Sequence, residues 1–372
     1  MDVYLSRPDI TEKEINAVND VLRCPNLSLG PLLPRFENAL ATYLDMRRAV
    51  AVNSGTSALF LSLQSLGIGT GDEVITTPFS FISSTTSIMM TDAKPVFVDI
   101  DPNSLNMDPE AIQAHITEKT KAILPVEVFG NPTGMDRIHD IASQYNLPII
   151  EDSCEALGSS LHGKKAGTFG HMSTFAFYPN KQITTGEGGM ILTNDDSLAD
   201  LCVSLRNQGR GENGTWLSHE RLGYNFRLSD INCALGLAQL TRIEEIKAKR
   251  AQVAQWYQQR LSAETRLELP QIPPECSMSW FVFVVRLVAD YTRQQRDTLI
   301  SLLAQRGIQA SNYFPPIHLQ PFIAERYGYR SGEYPITESI ANRTLALPFY
   351  NKLGEDKIDY VCSQLRLALD EL

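Results

Sequence analysis

Lys181 stands between an aromatic run, Phe175-Ala176-Phe177-Tyr178-Pro179, and a glycine-rich turn, Gly186-Glu187-Gly188-Gly189. A lysine stripped of water gives up its proton more readily and can form an imine with a carbonyl. Most lysines lie on surface loops, but exposed loops rarely carry such an aromatic flank. The segment Ile149-Ile150-Glu151-Asp152-Ser153-Cys154-Glu155 places acids at the end of an apolar run. A buried carboxylate needs a cation or hydrogen-bond donors. A protonated pyridine nitrogen is one such partner; a helix start capped by Asp152 is an equal alternative. The third segment, Asn53-Ser54-Gly55-Thr56-Ser57-Ala58-Leu59, follows the short apolar run Ala49–Val52. It reads as a helix N-terminus, whose free N–H groups favour a phosphate, with Gly55 allowing close backbone approach. Taken alone, that segment is better explained as an ordinary Ser/Thr cap on a core helix, because small polar residues cap most helices.

Taken together, the three segments have one economical explanation. A phosphate cradle, an acid at a strand end and a loop lysine are the anchors that pyridoxal 5'-phosphate requires. On this reading Asp152 pairs with the ring nitrogen. Lys181 holds the aldehyde and, once freed by substrate, moves a proton as general base and acid.

These anchors must be positioned by a scaffold. Thr11-Glu12-Lys13-Glu14 is a capping box opening a helix with Ile15, Val18 and Leu22 on one face. From about residue 49, short β-rich runs alternate with helical stretches: 73–77, 95–99, 122–126, 147–151, 173–177 and 190–193. Several are apolar throughout, as strands covered on both faces must be. This alternation predicts an α/β domain with a large, mostly parallel sheet. Ligands of such sheets bind outside the carboxyl ends of the strands. A long helical stretch is expected from about Ser229 to Leu261, then a proline-rich break at 270–274. A strand at 280–288 and helices near 292–305 and 354–369 follow. The expected division is residues 1–245, an N-terminal segment with the large domain, and 246–372, a smaller α+β domain.

The chain has 372 residues, 33 Lys+Arg against 43 Asp+Glu and a net charge of -10. It is long enough for a sizeable core, and its acidity argues against nucleic acid as a partner. Its six cysteines are scattered, the closest pair 31 residues apart, without zinc-site or dithiol spacing. No metal site is expected, and the thiols suit a reducing cytoplasm. The first 15 residues carry charges and a proline where a signal peptide would be apolar. The longest apolar run, Trp280–Val285, is six residues, so no membrane partner is expected.

At this point nearly the whole chain resembles the DegT/DnrJ/StrS sugar aminotransferases, fold-type I pyridoxal phosphate enzymes. The landmarks are Leu5-Ser6-Arg7-Pro8, Asn53–Leu59, Glu151–Ser159, Lys181–Gly189, Gly223-Tyr224-Asn225-Phe226-Arg227 and Pro315-Pro316-Ile317-His318. The resemblance implies a homodimer with active sites at the subunit interface. It implies transfer of an amino group, commonly from glutamate, to a nucleotide-linked keto sugar. Carried over by position, Lys181 and Asp152 become the catalytic pair, and Gly55 and Thr56 the phosphate turn. Phe81 becomes the aromatic that stacks on the cofactor ring, although a buried core aromatic is the plainer alternative. Asn225 becomes the residue that reaches the phosphate from the partner subunit. Tyr313 and His318 fall in a segment that approaches the substrate in relatives.

Two positions depart from the pattern. Relatives often have serine, a phosphate ligand, five residues before the lysine; here Ala176 stands there, and Ser57 or a water is the expected substitute. Relatives commonly have His or Asp where this chain has Glu127. Position 155 also bears on the substrate. Many relatives that aminate C-3 carry glutamine there, followed by Ala-His. Glu155-Ala156-Leu157 is similar instead to enzymes that aminate C-4, such as perosamine synthase. Glu155 therefore joins the expected cofactor site, and a 4-keto-6-deoxy sugar nucleotide is the expected acceptor. The alternatives are C-3 amination, a sugar dehydratase, which would lack the lysine or add cysteine-ligated iron–sulfur, and a catalytically silent protein on the same fold.

Overall fold

The computed structural model describes residues 2–211 and 218–372. Its centre is a mixed sheet of β1 (Arg48–Val52), β2 (Glu73–Thr76), β3 (Lys94–Phe97), β4 (Thr120–Ile123), β5 (Ile150–Asp152), β6 (Met172–Ala176) and β7 (Gly189–Thr193). The order is β3-β2-β4 on one side and β5-β6-β7-β1 on the other. Parallel bridges Ile123↔Ile149 and Val126↔Asp152 join the two halves. Only β7 runs against both of its neighbours, β6 and β1. The seven strands fall at the seven expected apolar runs, with bounds moved by one to three residues. Strand residues of β1, β2, β5, β6 and β7 are almost wholly buried, as a sheet covered on both faces demands.

This topology gathers chain ends at one edge. The carboxyl ends of β1, β5 and β6 meet the amino end of β7, where Gly189 lies opposite both Val52 and Ala176. A Cβ on Gly189 would come within 2.3 Å of the Ser54 carbonyl oxygen. The last glycine of the turn is therefore fixed by the backbone of the segment leading into the helix Gly55–Ser65.

The expected single helix from 229 to 261 is two, Asp230–Leu240 and Ile243–Leu261. The break at Thr241–Arg242 turns the Arg242 guanidinium inward to Glu14 (2.8 Å) and Asp9 (3.1 Å). Glu14 also closes the expected capping box of the helix Glu12–Leu22. Burial opposes its charge, yet hydrogen bonds from Thr11, Arg242 and Gln239 hold its carboxyl down at about 2.

The C-terminal region builds an antiparallel sheet of β8 (Leu267–Glu268), β9 (Phe283–Leu287) and β10 (Thr344–Leu347), backed by helices Arg293–Gln305 and Glu355–Asp370. The expected strand at 280–288 is thus shorter, and Trp280–Val282 is left for another task. A division at residue 246 runs through the continuous helix Ile243–Leu261, whose residues from Val253 onward pack in the C-terminal core. Val3 packs in the same core. Its N–H donates to the Gly307 carbonyl (2.8 Å), and the Phe349 N–H donates to the Leu5 carbonyl (2.8 Å). Val3 therefore belongs with the C-terminal core, while Leu5 bridges from it to the core of the large sheet.

Candidate active site

A pocket of about 600 Å³ opens at the edge where the strand ends converge. Its lining includes Gly55, Thr56, Phe81, Asp152, Glu155, Lys181 and Tyr313. Three segments drawn from between residues 53 and 189 are thereby brought to one cavity.

Ser54 caps the helix Gly55–Ser65, its Oγ accepting the Ser57 N–H at 3.0 Å. The N–H groups of Gly55 and Thr56, which no turn of that helix can use, lie at the pocket. Ser57 does not line it. It is buried, and its hydroxyl donates to Asn53 Oδ1 (2.7 Å), so it shapes the turn rather than replacing the missing serine at Ala176. A Cβ on Gly55 would sit 2.8 Å from the Ala176 Cβ and 3.1 Å from Cys154 Sγ. Glycine is thus required for β1, β5 and β6 to close around the helix start.

Asp152 ends β5 and is buried. Its Oδ2 accepts the Ser84 hydroxyl (2.7 Å), and its Oδ1 the Cys154 N–H (3.3 Å). The residues after it form turns rather than a helix, so the capping alternative is not realised. Among the described residues no Lys, Arg or His pairs with it. A buried acid with two neutral donors and no cation suits a positively charged ligand group.

Lys181 approaches from the turn after β6. Its Nζ lies 3.4 Å from Glu155 Oε1 and 4.0 Å from the centre of the Phe281 ring. The other Glu155 oxygen accepts the Phe129 N–H at 2.8 Å. Burial pushes the Glu155 carboxyl up, while Lys181 and the Phe129 N–H pull it back. Phe81 is 59% exposed and borders the pocket, which removes the buried-core alternative. Tyr313 lines the same cavity, its hydroxyl pushed up first by burial and then by Glu155.

Two expected residues lie elsewhere. Asn225 is exposed and bridges Asn207 through the main chain, outside this chain's pocket. His318 is fully buried; its Nε2 meets Glu338 Oε1 at 3.1 Å, and its ring packs on Tyr334. It is a core histidine here, not a pocket residue, whereas its neighbours Phe314 and Pro315 do line the cavity. Conversely, the sequence reading gave no role to Ser84, Cys154 or Phe281, all at the site. Ser84 lies three residues after Phe81 in the chain, but only the fold reveals that it faces Asp152.

Behind Asp152 lies an acidic pair. Glu127 and Glu151 are fully buried. Among the described residues neither Glu127 oxygen has a well-formed hydrogen bond, while Glu151 accepts from the N–H groups of Gly167 (2.9 Å) and Gly170. Burial, then the neighbouring Glu151 charge, pushes the Glu127 carboxyl well up. Burial likewise raises Glu151, against its backbone donors.

These residues fit pyridoxal phosphate. The helix start suits the phosphate, Asp152 lacks only a cationic partner, and the Lys181 amine faces the cavity between them. Fold and site together define a pyridoxal phosphate-dependent aminotransferase. Residues 8–366 match the DegT/DnrJ/EryC1/StrS aminotransferase family. The GDP-perosamine synthase of Caulobacter vibrioides is 40% identical over 343 residues, covering 92% of this chain and 91% of that protein. PseC of Helicobacter pylori, an aminotransferase involved in the biosynthesis of pseudoaminic acid, superposes with a TM-score of 0.94 at 27% identity, covering all of both chains. Spr1654 of Streptococcus pneumoniae in its PLP form superposes at 0.93 with 28% identity, covering 100% of this chain and 99% of that one. The chain belongs to the DegT/DnrJ/EryC1/StrS aminotransferase family, and it is a sugar aminotransferase whose cofactor is pyridoxal phosphate.

Among the described residues no helix is long and apolar enough to cross a membrane, and no group of three His, Cys, Asp or Glu could hold a metal ion.

Proposed function

We propose that this enzyme moves the amino group of glutamate to C-4 of a GDP-linked 4-keto-6-deoxyhexose. The observation that carries the reading is Glu155 at 3.4 Å from Lys181. By resemblance, Glu155 is where this chain is similar to enzymes that aminate C-4, and its carboxylate lies beside the amine. The 40% identity to a GDP-perosamine synthase supports a guanosine carrier.

Bound pyridoxal phosphate supplies an aldehyde that condenses with amines and a ring that takes up the electron pair left by a departing proton. The chain's own groups do the rest. Gly55 and Thr56 hold the phosphate through backbone N–H groups. Asp152, steadied by Ser84, pairs with the ring nitrogen. Phe81 covers one ring face. Lys181 Nζ takes and returns the proton at the reacting carbon, with Glu155 beside it as the charge that keeps it in place. Tyr313, across the pocket, is proposed to meet the sugar.

A homodimer with shared sites is part of the proposal. Asn225 is exposed and away from its own pocket, where it is free to serve a second copy. The cytoplasm is the proposed compartment.

The test is mass spectrometry of the enzyme with pyridoxal phosphate, glutamate and a panel of GDP-, UDP- and dTDP-linked 4-keto-6-deoxyhexoses beside 3-keto isomers. A one-amine product from the GDP-linked 4-keto sugar, absent with Lys181→Ala, is expected. Amination of 3-keto sugars only would overturn the regiochemistry, and preference for another nucleotide would overturn the carrier. Glutamate that fails to bleach the yellow enzyme would overturn the donor.

A further inference from the structure

Two buried side chains flank Lys181 along the main chain, and neither reaches the pocket. Arg250, 3% exposed, comes from the helix Ile243–Leu261. One of its terminal nitrogens donates to the carbonyls of Trp280 (3.2 Å) and Phe281 (3.0 Å). The other donates to the carbonyls of Asn180 (3.3 Å) and Lys181 (2.9 Å). Gln182 Nε2 donates to the carbonyls of Glu155 (2.6 Å) and Ser279 (2.7 Å). The lysine loop, the Glu155 turn and the stretch Ser279–Phe281 before β9 are thus tied together from behind. The stretch tied down on the far side presents the Phe281 ring to Lys181 Nζ, and the turn presents the Glu155 carboxylate.

We infer that Arg250 and Gln182 are positioning residues for Lys181, fixing its main chain so that Nζ stays over the Phe281 ring and beside Glu155.

The chemistry of the clamp supports this. Among the described residues Arg250 pairs with no carboxylate; its four hydrogen bonds all go to main-chain oxygens. Burying a guanidinium against carbonyls alone is costly, and an apolar side chain would fill the space at less cost. Burial indeed pulls its ionisation down to about 10. What an apolar residue cannot do is hold two peptide segments in register through a planar fork. A lysine that must shuttle a proton needs that register, because displacement by about 1 Å lowers rates by roughly a hundredfold. An aromatic face under Nζ adds attraction for its ammonium form, and the clamp sets that contact from the Phe281 side.

The test uses Arg250→Lys and Gln182→Met, purified as holoenzymes. The pH titration of the cofactor's visible absorbance reports protonation at Lys181 and is independent of turnover. Both variants are expected to shift its midpoint by about half a unit or more, and to lose about tenfold in kcat while KM for the keto sugar stays within about twofold. A structural role alone would lower the melting temperature and leave midpoint and kcat unchanged in folded protein. That result overturns the proposal. If Arg250→Lys lacks the near-UV circular dichroism of folded protein, Gln182→Met decides by the same two readouts.

Discussion

Lys181 Nζ lies 3.4 Å from one oxygen of Glu155, and the other oxygen of that carboxylate is held by the Phe129 N–H at 2.8 Å. The acid is therefore anchored to the backbone on one side and free to guide an amine on the other. Burial raises the Glu155 carboxyl, so it takes up a proton at a higher pH than an exposed glutamate would. As pH falls, Lys181 loses its charged neighbour. Glu155→Gln keeps an acceptor for Phe129 and removes the titration. The expected outcome is a fall in kcat of about tenfold to a hundredfold, with the acid limb of the pH–rate profile flattened. An unchanged acid limb would assign that limb to another group.

Ser84, in the helix Ser83–Met90, donates to Asp152 at the end of β5 at 2.7 Å. Removing a hydrogen bond to a charged group costs about 1.5–3 kcal/mol. Ser84→Ala should weaken pyridoxal phosphate retention by about tenfold to a hundredfold, read by equilibrium dialysis. The fold should persist, since Ser84 also has Ser80 and backbone neighbours but little bulk.

In the proposed site Ala176 brings no hydroxyl to the phosphate. Ser57 does not supply it, because its hydroxyl is spent on Asn53. Ala176→Ser should therefore tighten cofactor binding by about tenfold, the equivalent of one net hydrogen bond. Gly55→Ala tests the same corner from the other side. Its Cβ would press on Ala176 and Cys154, and it should lower both cofactor affinity and the melting temperature.

Glu127 has no well-formed hydrogen bond among the described residues, and burial with the Glu151 charge raises its carboxyl well above the ordinary value of 4.5. The native state then holds protons that the unfolded chain releases. The contribution is fully present below pH 4.5 and is lost as pH rises toward the raised folded value. Glu127→Gln should be neutral to stability near pH 5 and stabilising by about 1–3 kcal/mol near pH 8. Thermal melts across that range, compared with the parent, check the sign. A stabilisation that grew toward acid would refute it.

The seven sheet strands were legible because buried strands are continuous apolar runs, and the three anchors because each carries unusual chemistry at a strand end. What escaped was long-range. Ser84 is an ordinary helix serine until the fold sets it on Asp152. Phe281 reads as core strand, but β9 begins two residues later and frees it for Lys181. The helix break at Arg242 is set by acids more than 220 residues away in sequence, which no local periodicity records. His318 sits next to pocket residues in the chain, yet its side chain turns to Glu338, because adjacency in sequence does not fix direction.

The pairing of Val3 and Leu5 with Gly307, Gln309 and Phe349 has a consequence for biosynthesis. At about 5–20 residues per second, the ribosome needs roughly 20–70 s to make the strands that receive the first few residues. During that interval the amino end is a free tether, while the large sheet already has β1 to β7 available. The C-terminal region therefore cannot complete its pairing with Val3 and Leu5 until the chain has been made as far as Phe349.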